Sequence, residues 1–136
     1  MFISVVIPAY NEERYLGRCL QALRAQSCPA SRFEIIVVDN GSTDTTARIG
    51  RGFGARVVGE PVKGIAKARQ TGFEAARGEV IASTDADTVV PPFWLARIAG
   101  HFARDLEQGG LYGPVYWPDG RPHERLIICN TRSPGR

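Results

Sequence analysis

Two rhythms of apolar residues alternate along the first 116 positions of the chain. Ile3 to Ile7 is an apolar run closed by Pro8, the pattern of a strand buried on both faces. From Glu12 to Ser27 the apolar residues Leu16, Cys19, Leu20 and Leu23 recur at i, i+3, i+4 and i+7, one face of a helix. Phe33 to Val38 predicts a second buried strand. After the turn Asn40-Gly41-Ser42-Thr43-Asp44, Ser42 or Thr43 is placed to N-cap a short helix running to about Arg51. Ala55 to Gly59 predicts a third strand. Lys63 to Arg77 predicts a helix whose inner face (Ile65, Ala68, Gly72, Phe73, Ala76) is mostly small, with Gly78 as its C-terminal cap. Glu79 to Thr84 predicts a fourth strand. Pro91-Pro92 opens a further helix with Leu95, Ile98, Phe102 and Leu106 as its stripe, and Leu111 to Trp117 is a fifth strand candidate.

Strands alternating with helices predict an α/β fold, a mainly parallel Rossmann-like sheet with helices on both faces. Residues 1–116 are read as one domain and 117–136 as an irregular tail. That tail carries Pro118, Gly120, Pro122, Pro134 and Gly135, and within it only Leu126 to Cys129 has strand character. The expectation is a sheet truncated after the fifth strand, or a tail that has diverged near Trp117.

Bulk composition narrows the class. A chain of 136 residues with 43% hydrophobic and 23% charged residues suits a single globular domain. Its net charge is +3, and the 17 basic residues, 15 of them Arg, are scattered rather than striped, which argues against nucleic acid as a partner. Cys19, Cys28 and Cys129 are odd in number and lack metal-ligand spacing, so a reducing, cytoplasmic setting is expected. No apolar run approaches the roughly 20 residues of a membrane helix, so this chain is expected at the inner face of a membrane if it meets one, with a spanning segment left to any C-terminal extension.

In an open α/β sheet ligands bind beyond the carboxyl ends of the strands, where strand order reverses. Three predicted strand ends carry concentrated polar groups: Pro8-Ala9-Tyr10-Asn11-Glu12, Asp39-Asn40-Gly41-Ser42 and Asp85-Ala86-Asp87-Thr88. If the first strand lies between the second and fourth, all three share one crevice. The first of these turns contains no glycine, which excludes the Gly-rich phosphate loop of a nicotinamide oxidoreductase and disfavours a sugar-nucleotide pyrophosphorylase. Asp85 and Asp87, two apart in an extended segment, would point to the same side and suit a hard divalent cation such as Mg2+ or Mn2+. The plainer alternative is a helix cap with solvated loop acids. Asp39 has a similar alternative, capping the turn that follows it.

The blocks Pro8-Ala9-Tyr10-Asn11-Glu12, Val37-Val38-Asp39-Asn40-Gly41-Ser42-Thr43-Asp44, Gly64-Ile65-Ala66-Lys67-Ala68-Arg69, Ala76-Arg77-Gly78-Glu79-Val80-Ile81 and Asp85-Ala86-Asp87, in this order, resemble the inverting family 2 glycosyltransferases of GT-A fold. The match covers about Ile3 to Val115. The resemblance implies a nucleotide-sugar donor, a UDP-sugar ahead of a GDP-sugar, and transfer to a hydroxyl acceptor of unknown identity. It implies that Asp87 ligates the metal, that Asp85 touches the ribose or the metal shell, and that Asp39 accepts from the imide of a uracil-type base. Pro8, Ala9 and Tyr10 would lie beside the base, Glu12 within the nucleotide site, and Arg69 against the nucleotide, with Lys63 and Lys67 as weaker candidates. For Glu12, a favourable charge in the first turn of the helix is a sufficient local explanation. His101 is read as a helix residue and His123 as loop. Inverting transfer needs a general base, and none is found: Asp119 and Glu124 are the only acids after the fifth strand and neither has a matching context. The competing reading is a non-catalytic remnant that binds nucleotide or a partner.

Overall fold

A computed structural model describes residues 1–104, 110–116 and 122–130 of the chain. Among these residues six strands form one sheet: β1 (Ile3–Ala9), β2 (Phe33–Asp39), β3 (Arg56–Gly59), β4 (Val80–Ser83), β5 (Gly110–Tyr116) and β6 (Pro122–Asn130). Four α-helices connect or flank them: α1 (Leu16–Arg24), α2 (Thr46–Gly52), α3 (Ile65–Ala75) and α4 (Trp94–Arg104), with a 3-10 turn at Ala30–Arg32. The strand order is β3-β2-β1-β4-β6-β5. The first four strands are parallel, and β1 sits between β2 and β4 as the shared crevice requires. Strand order reverses between β1 and β4.

The end of the sheet departs from the sequence reading. Pro122–Asn130 is a nine-residue strand, longer than the Leu126–Cys129 segment expected, and it inserts antiparallel between β4 and β5. His123, read as loop, lies on this strand. Its apolar core is confined to four residues, so the flanking polar positions hid the rest. The fifth strand therefore runs in the same sense as the parallel four but reaches them only through β6.

Side-chain alternation sorts the core into two layers. Val5, Ile7, Ile35, Val37, Val80 and Ala82 face α1 and α4, where Leu16, Cys19, Leu20, Leu23, Leu95, Ile98 and Phe102 close against them. Full burial of each leucine contributes roughly 1.5–3 kcal/mol. Val6, Ile36, Val38 and Ile81 face α3. The small face predicted for α3 is what lets it lie on the sheet. A Cβ added at Gly72 would stand 2.3 Å from Val6 Cγ1 and 2.9 Å from Val38 Cγ2, so only glycine fits there. Gly78 is also required for space: its missing Cβ would meet the Phe2 carbonyl and the Ser4 amide at 2.7 and 2.6 Å. Capping is therefore not its main constraint, and the C-cap of α3 is Ala76.

Helix starts differ from the expected ones. The first helix begins at Leu16, because Asn11 adopts φ 50° and the chain turns through residues 12–15 before it coils. Ser42 and Thr43 do not cap α2, whose N-cap is Thr45. They are used across the sheet instead: Ser42 Oγ accepts from the Asn11 amide at 2.9 Å and the Thr43 amide donates to Asn11 Oδ1 at 2.8 Å. Tertiary hydrogen bonds have taken the groups that local chemistry would spend on a cap.

Candidate functional site

β4 pairs with β1 only from Ile3 to Val6, whereas β2 follows β1 to Ala9. Pro8 has no N–H to donate and sits where β4 has already left, so its place in a central strand leaves no gap in the ladder. Beyond the carboxyl ends of β1 and β2, against α3, lies a cleft of about 260 Å3 lined by Pro8, Ala9, Tyr10, Glu12, Asn40, Ile65 and Ala68. Tyr10 and Ile65 are exposed at its mouth.

Asn40 builds the far wall. Its amide donates to the Ala9 carbonyl, extending the β1–β2 ladder by one bond. Its side chain is buried and satisfied from one segment: Nδ2 donates to the Glu60 and Val62 carbonyls, both at 2.8 Å, and Oδ1 accepts from the Gly64 amide at 3.0 Å. Gly64 has φ 135°, a conformation that other residues rarely adopt, which turns the chain into α3. Glu60 completes the wall. Its carboxylate accepts from the Thr71 hydroxyl at 2.7 Å and the Val62 amide at 2.9 Å, and these bonds lower its pKa, with Lys67 adding a smaller contribution. Lys67, a weak nucleotide candidate in the sequence, is thus turned toward Glu60, 4.0 Å away. The role of Asn40 was missed in the sequence, where it reads only as a turn residue.

The acidic candidates gather at the same end of the sheet. Asp39 closes β2, and its Oδ1 accepts from the Ser42 amide at 3.0 Å, so the turn-capping role is realised. Asp85 and Asp87 follow β4 in a turn closed by the Thr88 amide on the Asp85 carbonyl at 3.1 Å, rather than in the extended segment expected. The two nevertheless act on one region, because both raise the pKa of Glu12. Burial is the larger cause there, followed by the charges of Asp87, Asp85 and Asp44. The same two aspartates add to the burial that pushes the Cys19 thiol up to about 12. Glu12 therefore lies in a field of like charge. The Glu12 carbonyl accepts from the Tyr15 amide at 3.0 Å and the Leu16 amide at 2.9 Å, so Glu12 does open the turn that leads into α1, and its favourable place at the helix start stands beside this field.

Arg69 is no solvated surface residue. Nη2 pairs with Asp85 Oδ1 at 3.2 Å and Nε donates to Ser83 Oγ at 3.1 Å, while the Ser83 hydroxyl donates to the Val6 carbonyl at 3.0 Å. The guanidinium ties α3 to the end of β4 and orients Asp85. Lys63 bridges the mouth of the cleft: its ammonium lies 3.6 Å from the centre of the Tyr10 ring and donates to the Asn40 carbonyl at 3.1 Å. His101 is on α4, edge-on to Phe102 and remote in sequence from these loops. Asp119 lies outside the described residues.

Among the described residues no three His, Cys, Asp or Glu side chains form a cage that would hold a cation unaided. Two carboxylates that share a cation with phosphate oxygens and water are the common magnesium arrangement. The like-charge field at Glu12 is what such a cation relieves. Asp85 and Asp87 carry oxygen donors of that chemistry, Asp85 Oδ1 being paired with Arg69 at 3.2 Å.

The sequence model of Glycosyl transferase family 2 matches residues 4–134, and the chain belongs to that family. Glycosyltransferase AglE of Haloferax volcanii is 38% identical over 102 residues, which are 71% of this chain and 34% of that protein. S. aureus TarS 1–349 in complex with UDP-GlcNAc superposes with a TM-score of 0.72 at 30% identity, over 76% of this chain and 32% of that one. Mannosyltransferase PcManGT from Pyrobaculum calidifontis, in complex with GDP-Man and Mn2+, gives a TM-score of 0.81 at 26% identity, over 94% of this chain and 44% of that one. The parallel four-stranded sheet with its flanking helices is thus of the GT-A type. The chain spans about a third of the length of the first two proteins. No helix among the described residues is long and apolar enough to cross a membrane.

Proposed function

We propose that the cleft binds the nucleoside diphosphate of a nucleotide sugar, and that the protein transfers the sugar, with inversion, to a hydroxyl acceptor. The observation that carries this reading is the joining of the loops after β1 and β2, through Asn11 to Ser42 and Thr43, beside a cleft lined by Tyr10, Glu12 and Asn40. The loop after β4 follows the neighbouring strand, and Asp85 and Asp87 act on Glu12 by charge. The UDP-GlcNAc bound by TarS and the GDP-Man and Mn2+ bound by PcManGT support the ligand class.

In this reading Pro8, Ala9 and Tyr10 flank the base, and Asp39 offers a carboxylate oxygen to a uracil-type imide. A wrong base leaves that carboxylate desolvated and unpaired, which is the physical basis for preferring UDP. Asp87 and Asp85 hold Mg2+ or Mn2+, and the bound ion stabilises the charge that develops on the departing diphosphate. Arg69 fixes Asp85 in place. The free thiols of Cys19 and Cys28 suit a reducing, cytoplasmic setting. The base that deprotonates the acceptor is not among the cleft residues, so the segment's own part is donor binding. That is also what a non-catalytic remnant would do, and a transfer assay on the chain separates the two.

The test is calorimetric titration with UDP, GDP and a UDP-sugar, with Mn2+ and then with EDTA. UDP should bind more tightly than GDP and only with the cation, and Asp87→Asn should weaken binding at least tenfold. Equal affinity in EDTA, or an unchanged Asp87→Asn variant, overturns the cation assignment. Absence of nucleotide binding overturns the whole reading.

A further inference from the structure

Lys63 occupies a place at the mouth of the cleft that the donor reading needs for the ligand. Its ammonium caps the ring of Tyr10 at 3.6 Å from the centroid. It also donates to the Asn40 carbonyl at 3.1 Å and stands 3.5 Å from the Gly41 carbonyl. These acceptors belong to the two loops that flank a base: Tyr10 follows β1, and Asn40-Gly41 follows Asp39 at the end of β2. The ammonium therefore spans the gap between the aromatic face and the turn beside Asp39. The backbone holding it is fixed on both sides by the Asn40 side chain, through the Val62 carbonyl and through the Gly64 amide. Lys63 itself, by contrast, is exposed.

We infer that Lys63 is a specificity-determining plug that sets nucleoside against nucleoside diphosphate. The inference rests on the donor reading above. A nucleoside that stacks on Tyr10 and reaches Asp39 must displace the ammonium from an aromatic face and a carbonyl, and a neutral nucleoside offers it nothing in return. A nucleoside diphosphate offers the displaced ammonium an anionic partner, so a charge-assisted bond takes the place of the cation–π interaction. Lys63 thus opposes binding of the base alone and favours binding of the base with its diphosphate. A residue that merely attracts phosphate would leave uridine affinity unchanged. A residue that merely shapes the loop would move both ligands the same way. Only a plug moves them in opposite directions.

The experiment titrates the chain, with Mn2+ present, against uridine by ligand-observed NMR and against UDP by calorimetry, for the wild type, Lys63→Met and Lys63→Arg. Methionine keeps the length of the stem and removes the cation; arginine keeps the cation. A cation–π contact at an exposed ring is worth about 0.5–1 kcal/mol, so Lys63→Met should bind uridine roughly two- to fivefold more tightly. The same variant should bind UDP more weakly by at least a similar factor, and Lys63→Arg should restore the wild-type order. A thermal melt of each variant reports folding. If wild-type UDP binding holds but uridine affinity is unmoved or falls together with that of UDP, the plug is overturned and the donor site stands. Uridine binding undetectable in both wild type and Lys63→Met overturns it equally. If UDP fails to bind the wild type, the donor reading falls and this inference with it.

Discussion

Replacing Asn40 by alanine tests whether the wall of the cleft is held as the structure describes. The side chain is 5% exposed and makes three hydrogen bonds, donating at 2.8 Å to the Glu60 and Val62 carbonyls and accepting at 3.0 Å from the Gly64 amide. Each bond contributes about 1 kcal/mol net, and a buried partner left unpaired adds its own desolvation. Val62 is 57% exposed and its carbonyl can recover a water, whereas Glu60 is buried and its carbonyl is less able to. The expected loss is therefore about 2–3 kcal/mol, a large part of the stability of a domain this size. Urea unfolding at pH 7 reads it as a lower midpoint at constant m. Hydrogen exchange of the Gly64 amide should accelerate beyond what the global loss explains, since its acceptor is gone. Asn40→Asp sharpens the test. It keeps the acceptor for Gly64 but sets a carboxylate oxygen against two carbonyl oxygens, so at pH 7 it should cost at least as much as alanine. Below the carboxylate range the protonated acid again donates one bond and the excess should vanish. An Asn40→Ala variant within about 0.5 kcal/mol of wild type, with Gly64 protection intact, refutes the reasoning.

Three further outcomes follow from the packing and the titrations. Gly72→Ala gains about 1 kcal/mol of helix propensity. It also drives a methyl into two stiff, buried valines at 2.3 and 2.9 Å, so a net loss of roughly 1–2 kcal/mol is expected by thermal melting; a stabilised variant would show that α3 stands off the sheet. Burial raises the pKa of Glu34, but the Ser4 hydroxyl, the Arg77 amide and the charges of Arg56 and Arg77 outweigh it, so the folded value lies below the ordinary 4.5. Its stabilisation is then fully present above 4.5 and lost as pH falls through the lower folded value. Glu34→Gln should flatten acid unfolding in that window, and an unchanged acid profile contradicts the assignment. Cys19, pushed up to about 12 and buried, should resist iodoacetamide at pH 8 until the chain is unfolded, as read by peptide mass spectrometry; rapid native labelling would contradict its burial.

The elements of residues 1–104 were legible because each buries one simple pattern. Strands covered on both faces must be continuously apolar, and α1 and α4 must repeat their apolar residues every three or four positions. The short side chains of α3 announced its close approach to the sheet, and the acidic turns after β2 and β4 marked the candidate site. What stayed hidden depends on contacts distant in sequence. Ser42 and Thr43 have the chemistry of helix caps, yet they serve Asn11 from 31 and 32 residues away. Glu12 has the chemistry of a helix first turn, yet it feels Asp85 and Asp87, more than 70 positions on. Asn40 reads as a turn former because nothing nearby in sequence reveals that its amide clamps residues 60–64. β6 lacked a long apolar run, and its place between β4 and β5 was set by pairing. Local pattern determines which segments coil or extend, since burial and backbone preference act over a few residues. The partner of each polar group, and so the shape and charge of the cleft, is decided only when strands that are far apart in sequence lie side by side.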